Sequence, residues 1–390
     1  MGIHGLSKLL NDNAPRCVRE HKMEYFAGRK IAIDASMQIY QFLIAVRQQG
    51  GEGQLTNEAG EVTSHLTGML YRTIRMMEAG IKPVFVFDGK PPTLKSGELA
   101  KRKERQQAAE TELTRLQEQG GSAEDVERQQ KRTVRASREQ SEEVKKLLGL
   151  MGVPVVDAPC EAEATCAALA KAGLVYATAT EDMDALTFAT PLLIRNLNSP
   201  EARKLPIREF NLELALGTEG LDMSIEQFTD LCILCGCDYT NSIKGIGPVK
   251  ALGLLKEHGS LEGILAHLRK KHTAEQLQEM IPDPFPFEEA RRMFREPEVA
   301  DTSATPAFKW SDPDVEGLKS YLIDEKQFGE ERVLKAIERL KKCKGKSGQN
   351  RMEDFFGKAT IIPNKRKEAE AAKGKGKGKA GKGPLKKAKK

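Results

Sequence analysis

The chain has 390 residues, of which 39% are hydrophobic and 30% are charged, and its formal net charge is +6. This length and composition suit a globular protein with two or three domains' worth of chain and a buried core. No apolar run is long enough to span a membrane and no secretory signal is visible, so we expect neither a membrane protein nor a secreted one. The seven cysteines are an odd number, which favours reduced intracellular thiols over a disulfide framework.

The charge is distributed unevenly along the chain. Residues 357–390 contain 13 Lys+Arg and two Glu, a net charge of +11, so residues 1–356 carry −5. The Gly-Lys repeat at 373–379 has too little apolar surface to fold, which predicts a disordered basic tail. The clusters at 365–367 and 386–390 are typical of nuclear-import or nucleic-acid-attracting segments, although a tail that only aids solubility would look the same.

Five short apolar segments predict β-strands in the body of the chain. Helix-length segments separate them, which favours an α/β protein with a mainly parallel sheet. Such a sheet places its functional crevice beyond the carboxyl ends of its strands, and Asp34, Asp88 and Asp157 each close one of the segments. The five segments are 30–34, 83–88, 153–157, 175–179 and 192–196.

Residues 98–146 are highly charged and helical in character, with a break at Gly120-Gly121-Ser122. Few apolar positions are available to pack this pair of helices onto a core, so we expect it to project into solvent. It would serve either as a mobile element over a site or as a plain connector between domains.

Residues 224–256 predict a helix-turn-helix. The first helix would span residues 226–234, with Asp238 expected to close this helical segment. Pro248 suits the first turn of the second helix. Beyond Pro282 the chain has many prolines and little strand signal, which predicts irregular structure with helices that pack back on the body.

Seven acidic residues occupy predicted strand ends and helix starts. Taken singly, each could be a helix N-cap or a turn residue. Crowded together as free anions they would repel one another, and hard divalent cations relieve that repulsion, so an oxygen-only set predicts Mg²⁺ or Mn²⁺. Two such cations suit phosphodiester hydrolysis. The seven are Asp34, Asp88, Glu161, Glu163, Asp182, Asp184 and Asp238.

The sequence offers no competing site for a soft metal. Its six histidines show no ligand spacing, and the spacing of Cys232, Cys235 and Cys237 is more typical of small buried residues than of a zinc site.

Two cationic residues follow shortly after Asp88. Lys95 and Arg102 are seven residues apart, so they share one face if this stretch is helical. Near a scissile phosphate they would offset the charge that develops on its oxygens. Without the carboxylates, an ordinary exposed helical face would be the simpler interpretation.

The residues quoted so far belong to longer motifs, at 31–37, 85–92, 95–102, 157–164, 179–184 and 245–248. These motifs, and their order, closely resemble those of the eukaryotic flap endonucleases, structure-specific 5′ nucleases of the flap endonuclease/XPG family. The resemblance extends from Met1 to about Phe356.

The resemblance implies a PIN-like 5′ nuclease fold, in which the seven carboxylates hold two Mg²⁺ ions, with Mn²⁺ as an alternative. It implies that Lys95 and Arg102 are catalytic cations on a helical arch, and that Tyr40 stacks on a base of the unpaired substrate end. A tyrosine after a strand would equally fit a core position.

The resemblance also implies that the helix-turn-helix grips the DNA backbone. Glycines let the backbone approach a phosphate, and the following helix N-terminus offers free N–H donors, although most such turns are merely turns. The implied DNA contacts are Arg47, Arg72, Glu161, Gly245, Gly247 and Lys250, and the implied K⁺ ligands are Ser242, Ile243 and Ile246.

A segment near the tail resembles the motif with which proteins bind the sliding clamp, PCNA, a trimer. It consists of Gln349, Met352, Phe355 and Phe356, whose apolar members would form a plug on one helical turn. The alternative is a last helix that packs on the body.

The resulting expectation is a monomeric Mg²⁺-dependent 5′ flap endonuclease, with 5′–3′ exonuclease activity, that acts in Okazaki fragment maturation and base excision repair. We expect it in the nucleus, in nucleolus and nucleoplasm, and a mitochondrial fraction is also compatible with the sequence. The alternatives are a related 5′ exonuclease or bubble endonuclease of the same superfamily, and a non-catalytic clamp-binding scaffold.

The predicted division of the chain follows from these motifs. It comprises an N-terminal nuclease domain (1–107), an arch or linker (108–124, with the whole arch at about 95–146), an internal nuclease domain with the helix-turn-helix (125–256), a C-terminal packing region (257–347), the clamp motif (348–356) and the tail (357–390).

Overall fold

The strands of the protein form a single seven-stranded sheet in the order β1-β7-β6-β5-β2-β3-β4. The pairings among β4, β3, β2, β5 and β6 are parallel, whereas β7 pairs antiparallel with β6 and with β1. The mainly parallel sheet predicted from the sequence is therefore confirmed. The strands are β1 Val18–His21, β2 Lys30–Asp34, β3 Lys82–Phe87, β4 Val155–Asp157, β5 Ala177–Ala179, β6 Leu192–Arg195 and β7 Ile207–Asn211.

The computed structural model describes residues 2–47, 63–134, 136–198, 205–303 and 307–344. The chain divides into two units, Met1–Gly348 and Gln349–Lys390. The predicted clamp motif and basic tail lie outside the described residues.

Helices cover both faces of the sheet. On one face, Ile31 and Ile33 pack with α2, α3, α6 and α16, and on the other Ala32 packs with α7. The helices are α1 Leu6–Asn13, α2 Ala35–Arg47, α3 Ser64–Glu78, α4 Ser96–Gln119, α5 Ala123–Arg132, α6 Arg138–Leu150, α7 Ala162–Lys171, α8 Asp184–Thr187, α9 Leu212–Leu216, α10 Ile225–Cys235, α11 Pro248–His258, α12 Leu261–Lys271, α13 Ala274–Met280, α14 Phe287–Arg295, α15 Val315–Lys319 and α16 Glu330–Lys344. Among the described residues, none of these helices has the length and apolar character required to cross a membrane.

The predicted N-terminal and internal nuclease domains contribute to the same sheet. Strands β1 to β3 come from residues 1–107, and β4 to β7 come from residues 125–256. Because β2 pairs in parallel with both β3 and β5, the carboxyl ends of strands from both ranges meet at one edge.

Helices α4 and α5 form the predicted charged pair, and the break falls where the sequence places it. Gly120 ends α4 with a φ of 72°, a left-handed conformation that suits glycine, and the Ser122 side chain caps α5 by accepting from the Asp125 amide. Only Ala109 of α4 is buried. Helix α6 instead contributes Val144, Leu147 and Leu148 to the core, so the projecting part is shorter than the predicted arch of about 95–146.

Helices α10 and α11 form the predicted helix-turn-helix. Pro248 occupies the first position of α11, as expected. Helix α10 ends at Cys235, however, and Asp238 lies in the following turn, next to a bridge between Cys237 and Thr240, rather than on the helix. Gly236 causes this early end because its φ of 103° departs from helical geometry.

A buried ion pair connects α10 with α12 and α14, and we expect its loss to destabilise the protein. Asp230 of α10 accepts from the Leu261 amide at 3.0 Å and from the Arg291 guanidinium at 2.9 Å. Asp230→Ala would leave both donors without this partner, so urea denaturation should show a loss of about 3–5 kcal/mol.

The matched control is Lys335→Ala, which removes an exposed pair with Glu331 and should cost no more than about 0.5 kcal/mol. Equal losses in the two variants would contradict a structural role for the buried pair.

Candidate active site

A cavity of about 310 Å³ opens at the carboxyl edge of the sheet. Its lining includes six of the seven predicted carboxylates. The seventh, Asp184, lies directly beside the cavity, and its amide donates to Asp182 at 2.9 Å. The six that line the cavity are Asp34, Asp88, Glu161, Glu163, Asp182 and Asp238.

Strand ends and helix starts hold the first carboxylates in place. Asp34, the last residue of β2, accepts from the Met37 amide at 2.9 Å and from the Thr180 hydroxyl at 3.1 Å. Asp88 follows β3 and accepts from the Ala162 amide, at the start of α7, at 2.8 Å. Both therefore also serve as acceptors at a helix start, the role expected of an isolated aspartate, and this role fixes their orientation.

The segment after β5 brings Asp182 and Asp184 close to the start of the chain. A side chain at Gly2 would collide with both carboxylates, so this position requires glycine. Asp184 is 2% exposed, and its Oδ1 is buried with no hydrogen-bond partner among the described residues. A buried carboxylate oxygen without a partner is costly, which indicates that a ligand belongs there.

The two predicted cations both reach the acidic crevice. The Lys95 ammonium donates to Glu161 and lies 3.2 Å from Asp238 and 3.9 Å from Glu163. The Arg102 guanidinium donates to Asp238 at 2.6 Å. Because Lys95 precedes α4 and Arg102 lies on it, these contacts attach the base of the arch to the crevice.

The electrostatics follow from burial and crowding. Burial raises the pKa of Asp34, and the charge of Asp88 raises it further, to about 7. Burial and neighbouring carboxylates also raise the pKa values of Glu163 and Asp184. Burial alone would lower the pKa of Lys95, but the surrounding carboxylates raise it above its ordinary value, so the ammonium stays charged.

The donor set fits divalent cations in its chemistry. Within the described residues, no three His, Cys, Asp or Glu side chains already form a group that could hold a metal ion. The Lys95 ammonium lies among three of the carboxylates instead. The donors are nevertheless all oxygens, which hard cations prefer. Asp184 Oδ1, which has no hydrogen-bond partner among the described residues, is available to such a cation.

Tyr40 lines the same cavity and is partly buried, beside the exposed Leu99 of α4. Sequence reasoning missed Tyr239, whose buried hydroxyl donates to Glu161. Burial and the charge of Glu161 raise the pKa of Tyr239, so it remains a donor. Its place directly after Asp238 was the available signal.

The other predicted contacts lie elsewhere. Arg72 is half-buried and donates to the Gln38 carbonyl at 3.0 Å, and burial lowers its pKa to about 10. Arg47 ends α2, and its side chain lies outside the described part of the structure. Arg72 does not line the cavity.

The predicted backbone-binding turn lies between α10 and α11. Gly245 has a φ of 80°, and its carbonyl accepts from Lys250 at 3.1 Å, while Gly247 directly precedes α11. The predicted potassium ligands are in this turn, where Ser242 is exposed and the side chains of Ile243 and Ile246 are buried.

The crevice should make the metal-free protein less stable as the pH rises. The folded-state pKa of Asp34, about 7, lies above its ordinary value of 3.8, so the folded state binds more protons between these values and loses stability as they dissociate. In EDTA, Asp34→Asn should melt at a higher temperature than the parent at pH 8, and the difference should shrink towards pH 4.

Asp157→Asn is the control, since this strand-end carboxylate is exposed and pairs with Lys145. A melting temperature of Asp34→Asn that follows the parent across the whole pH range would contradict the prediction.

Comparisons with known sequences agree with this geometry. Two family models match the chain: the XPG N-terminal domain over residues 1–109 and the XPG I-region over residues 152–238. Flap endonuclease 1 of Micromonas commoda is 55% identical over 371 residues, which cover 94% of each chain. Flap endonuclease 1 of Danio rerio is 53% identical over 369 residues, again 94% of each.

Solved structures show the same fold. The flap endonuclease-1 of Methanococcus jannaschii is 31% identical, with a TM-score of 0.62 over 84% of this chain and 96% of that one. The catalytic core of Rad2 in complex with DNA substrate is 27% identical, with a TM-score of 0.64 over 87% of this chain and 100% of that one. With an acidic crevice at the carboxyl edge of its sheet and such identity along nearly its whole length, the chain belongs to the eukaryotic flap endonucleases, a family of metal-dependent, structure-specific nucleases.

Proposed function

We propose that the chain cleaves DNA at the base of a 5′ flap, with an accompanying 5′–3′ exonuclease activity, in Okazaki fragment maturation and base excision repair. The observation that carries this proposal is the convergence of seven carboxylates with Lys95 and Arg102 at one crevice beneath a helical arch. The relatives named flap endonuclease 1 support the substrate class.

We assign two Mg²⁺ ions, or Mn²⁺ in their place, to the crevice. When bound, they supply activation of water and stabilisation of charge on the phosphodiester. The all-oxygen chemistry of the proposed ligands supports the assignment, as does Asp184 Oδ1, which is buried without a hydrogen-bond partner in the described part of the chain. The residues that would hold the ions are Asp34, Asp88, Glu161, Glu163, Asp182, Asp184 and Asp238.

The cationic side chains have a separate role in this proposal. Lys95 and Arg102 already reach into the crevice, so a phosphodiester that enters it would meet both. They would hold the scissile phosphate and offset charge on its non-bridging oxygens. Attack of water on the phosphorus, with the 3′ oxygen leaving and taking up a proton, would give a 5′-phosphate and a 3′-hydroxyl. Tyr40, on the cavity wall, would stack on the adjoining base.

Duplex DNA would be held away from the crevice, at the helix-turn-helix. The turn with Gly245 and Gly247 presents backbone groups and the N-terminus of α11 to a phosphate. K⁺ bound at this turn by Ser242, Ile243 and Ile246 would add a further positive charge. The Lys250 ammonium also lies at the turn, where it donates to the Gly245 carbonyl. Arg47, Arg72 and Glu161 complete the proposed DNA contacts.

The remaining proposals rest on sequence. Gln349, Met352, Phe355 and Phe356 would dock a monomeric enzyme on the trimeric sliding clamp. The basic tail would favour the nucleus, with nucleolar and nucleoplasmic pools and a mitochondrial fraction.

The metal assignment predicts the behaviour of Asp184→Ala. Loss of this buried carboxylate should reduce flap cleavage in Mg²⁺ by a factor of about 10³ or more, because charge stabilisation at the phosphodiester is lost. Binding of the flap substrate in Ca²⁺, measured by fluorescence anisotropy, should change little.

Asp157→Ala is the control, because this aspartate ends β4, is exposed and does not line the cavity. It should cleave at the parent rate. Near-normal turnover by Asp184→Ala would refute the assignment, and assays on flap, nicked and bubble DNA would identify the preferred substrate.

The clamp proposal predicts that Phe355→Ala combined with Phe356→Ala abolishes stimulation by the clamp and keeps the intrinsic rate. The two rings are the apolar anchors of the motif. Cleavage rates with and without clamp decide the matter, and full stimulation of the double variant would rule out this docking segment.

A further inference from the structure

Tyr239 is a buried aromatic residue that the proposed mechanism does not use. It is 4% exposed and directly follows Asp238 in the turn after α10. Its hydroxyl donates to Oε2 of Glu161, a residue 78 positions earlier in the chain. Tyr239 thus connects two of the predicted metal ligands: it contacts Glu161 through a hydrogen bond and is joined to Asp238 through the backbone.

The Tyr239 ring has little freedom to move. Its centroid lies 4.9 Å from that of Phe294 on α14, and Phe294 in turn lies 5.2 Å from Phe188. Phe188 and Phe294 are fully buried. Packed rings of this kind hold the hydroxyl in one position, so the carboxylate that it contacts is held as well.

The hydrogen bond distinguishes the two oxygens of Glu161. Oε2 accepts from Tyr239 on the protein side, whereas Oε1 accepts from Lys95, whose ammonium lies in the crevice. The carboxylate therefore cannot rotate freely, and Oε1 is the oxygen that faces the crevice.

We propose that Tyr239 is a positioning residue for the cation site: its hydroxyl fixes Glu161 so that Oε1 is presented to a divalent cation. The inference rests on the proposed function, since it needs a cation in the crevice. Partners that orient a ligand carboxylate typically contribute a factor of 10–100 in metal affinity. A tyrosine that merely filled the core would contribute only through its ring.

Tyr239→Phe separates these two roles, because it keeps the ring and removes the hydroxyl. Mn²⁺ binding to the DNA-free protein, followed by electron paramagnetic resonance, should weaken by about 10-fold. The Mg²⁺ concentration for half-maximal cleavage should rise by a similar factor, whereas the rate at saturating Mg²⁺ and the affinity for flap DNA in Ca²⁺ should stay within about 2-fold.

Tyr176→Phe is the matched control. Tyr176 is a partly buried tyrosine whose hydroxyl, like that of Tyr239, donates to a carboxylate, here Glu209 at 3.0 Å. It precedes β5, at the end of the sheet away from the crevice. Its Mn²⁺ affinity should equal that of the parent.

A double-mutant cycle with Glu161→Gln separates an effect that acts through Glu161 from a general loss of stability in the Tyr239→Phe variant. If Tyr239 acts through Glu161, Tyr239→Phe should have little further effect on Mn²⁺ affinity in the Glu161→Gln background. Additive losses would indicate a general structural effect and overturn the proposal.

The outcomes also separate the inference from the function on which it rests. A parent protein that binds no Mn²⁺ and cleaves no flap would refute the proposed function. A parent that does both, with Tyr239→Phe unchanged in Mn²⁺ affinity, would refute only the role of Tyr239.

Discussion

The repulsion among carboxylates at one end of the sheet is the constraint on which the rest of the structure depends. Buried like charges cannot be accommodated unless hydrogen bonds, cations or protons relieve them. The protein uses all three: amides at helix starts donate to Asp34 and Asp88, the Lys95 ammonium lies among three carboxylates, and a raised pKa makes protonation of Asp34 easier. This relief is incomplete, because Asp184 Oδ1 is buried without a hydrogen-bond partner among the described residues. A divalent cation that bound the folded crevice would therefore stabilise the folded state.

This constraint also explains how distant parts of the chain cooperate. The crevice needs the ends of β2, β3 and β5, the start of α7, the base of α4 and the turn after α10, so the site is complete only when all of these elements are folded together. Helix α14, in the predicted C-terminal packing region, takes part indirectly, since the Phe294 ring packs against the Tyr239 ring. Helix α14, whose sequence carries no sign of a functional role, therefore contributes to the geometry of the crevice.

Much of this arrangement was predictable because strand ends and helix starts leave local signals. The five apolar segments and the carboxylates beside them needed no tertiary information. Strands β1 and β7 were missed because Arg19, Glu20 and Arg208 interrupt the apolar pattern expected of a strand. Asp88 and Asp157 both end predicted strand segments, but only Asp88 lines the cavity. Asp157 pairs in register with Phe87, one residue before Asp88. Because adjacent positions of a strand face opposite sides of the sheet, the two carboxylates lie on different sides. The position of Tyr239 beside Asp238 was a local signal, but its contact with Glu161 joins residues 78 positions apart and depends on tertiary packing.

The arch differs from the body in what holds it together. Beyond its base, α4 and α5 are supported by pairs within each helix, such as Arg115–Glu112, Arg128–Asp125 and Lys131–Glu127, and not by a hydrophobic core. Exposed pairs weaken as salt screens them, whereas apolar burial does not weaken in this way. Exposed ion pairs therefore stabilise the arch, whereas apolar burial stabilises the sheet. With such different support, the arch can lose and regain helical order as a local unit while the sheet stays intact.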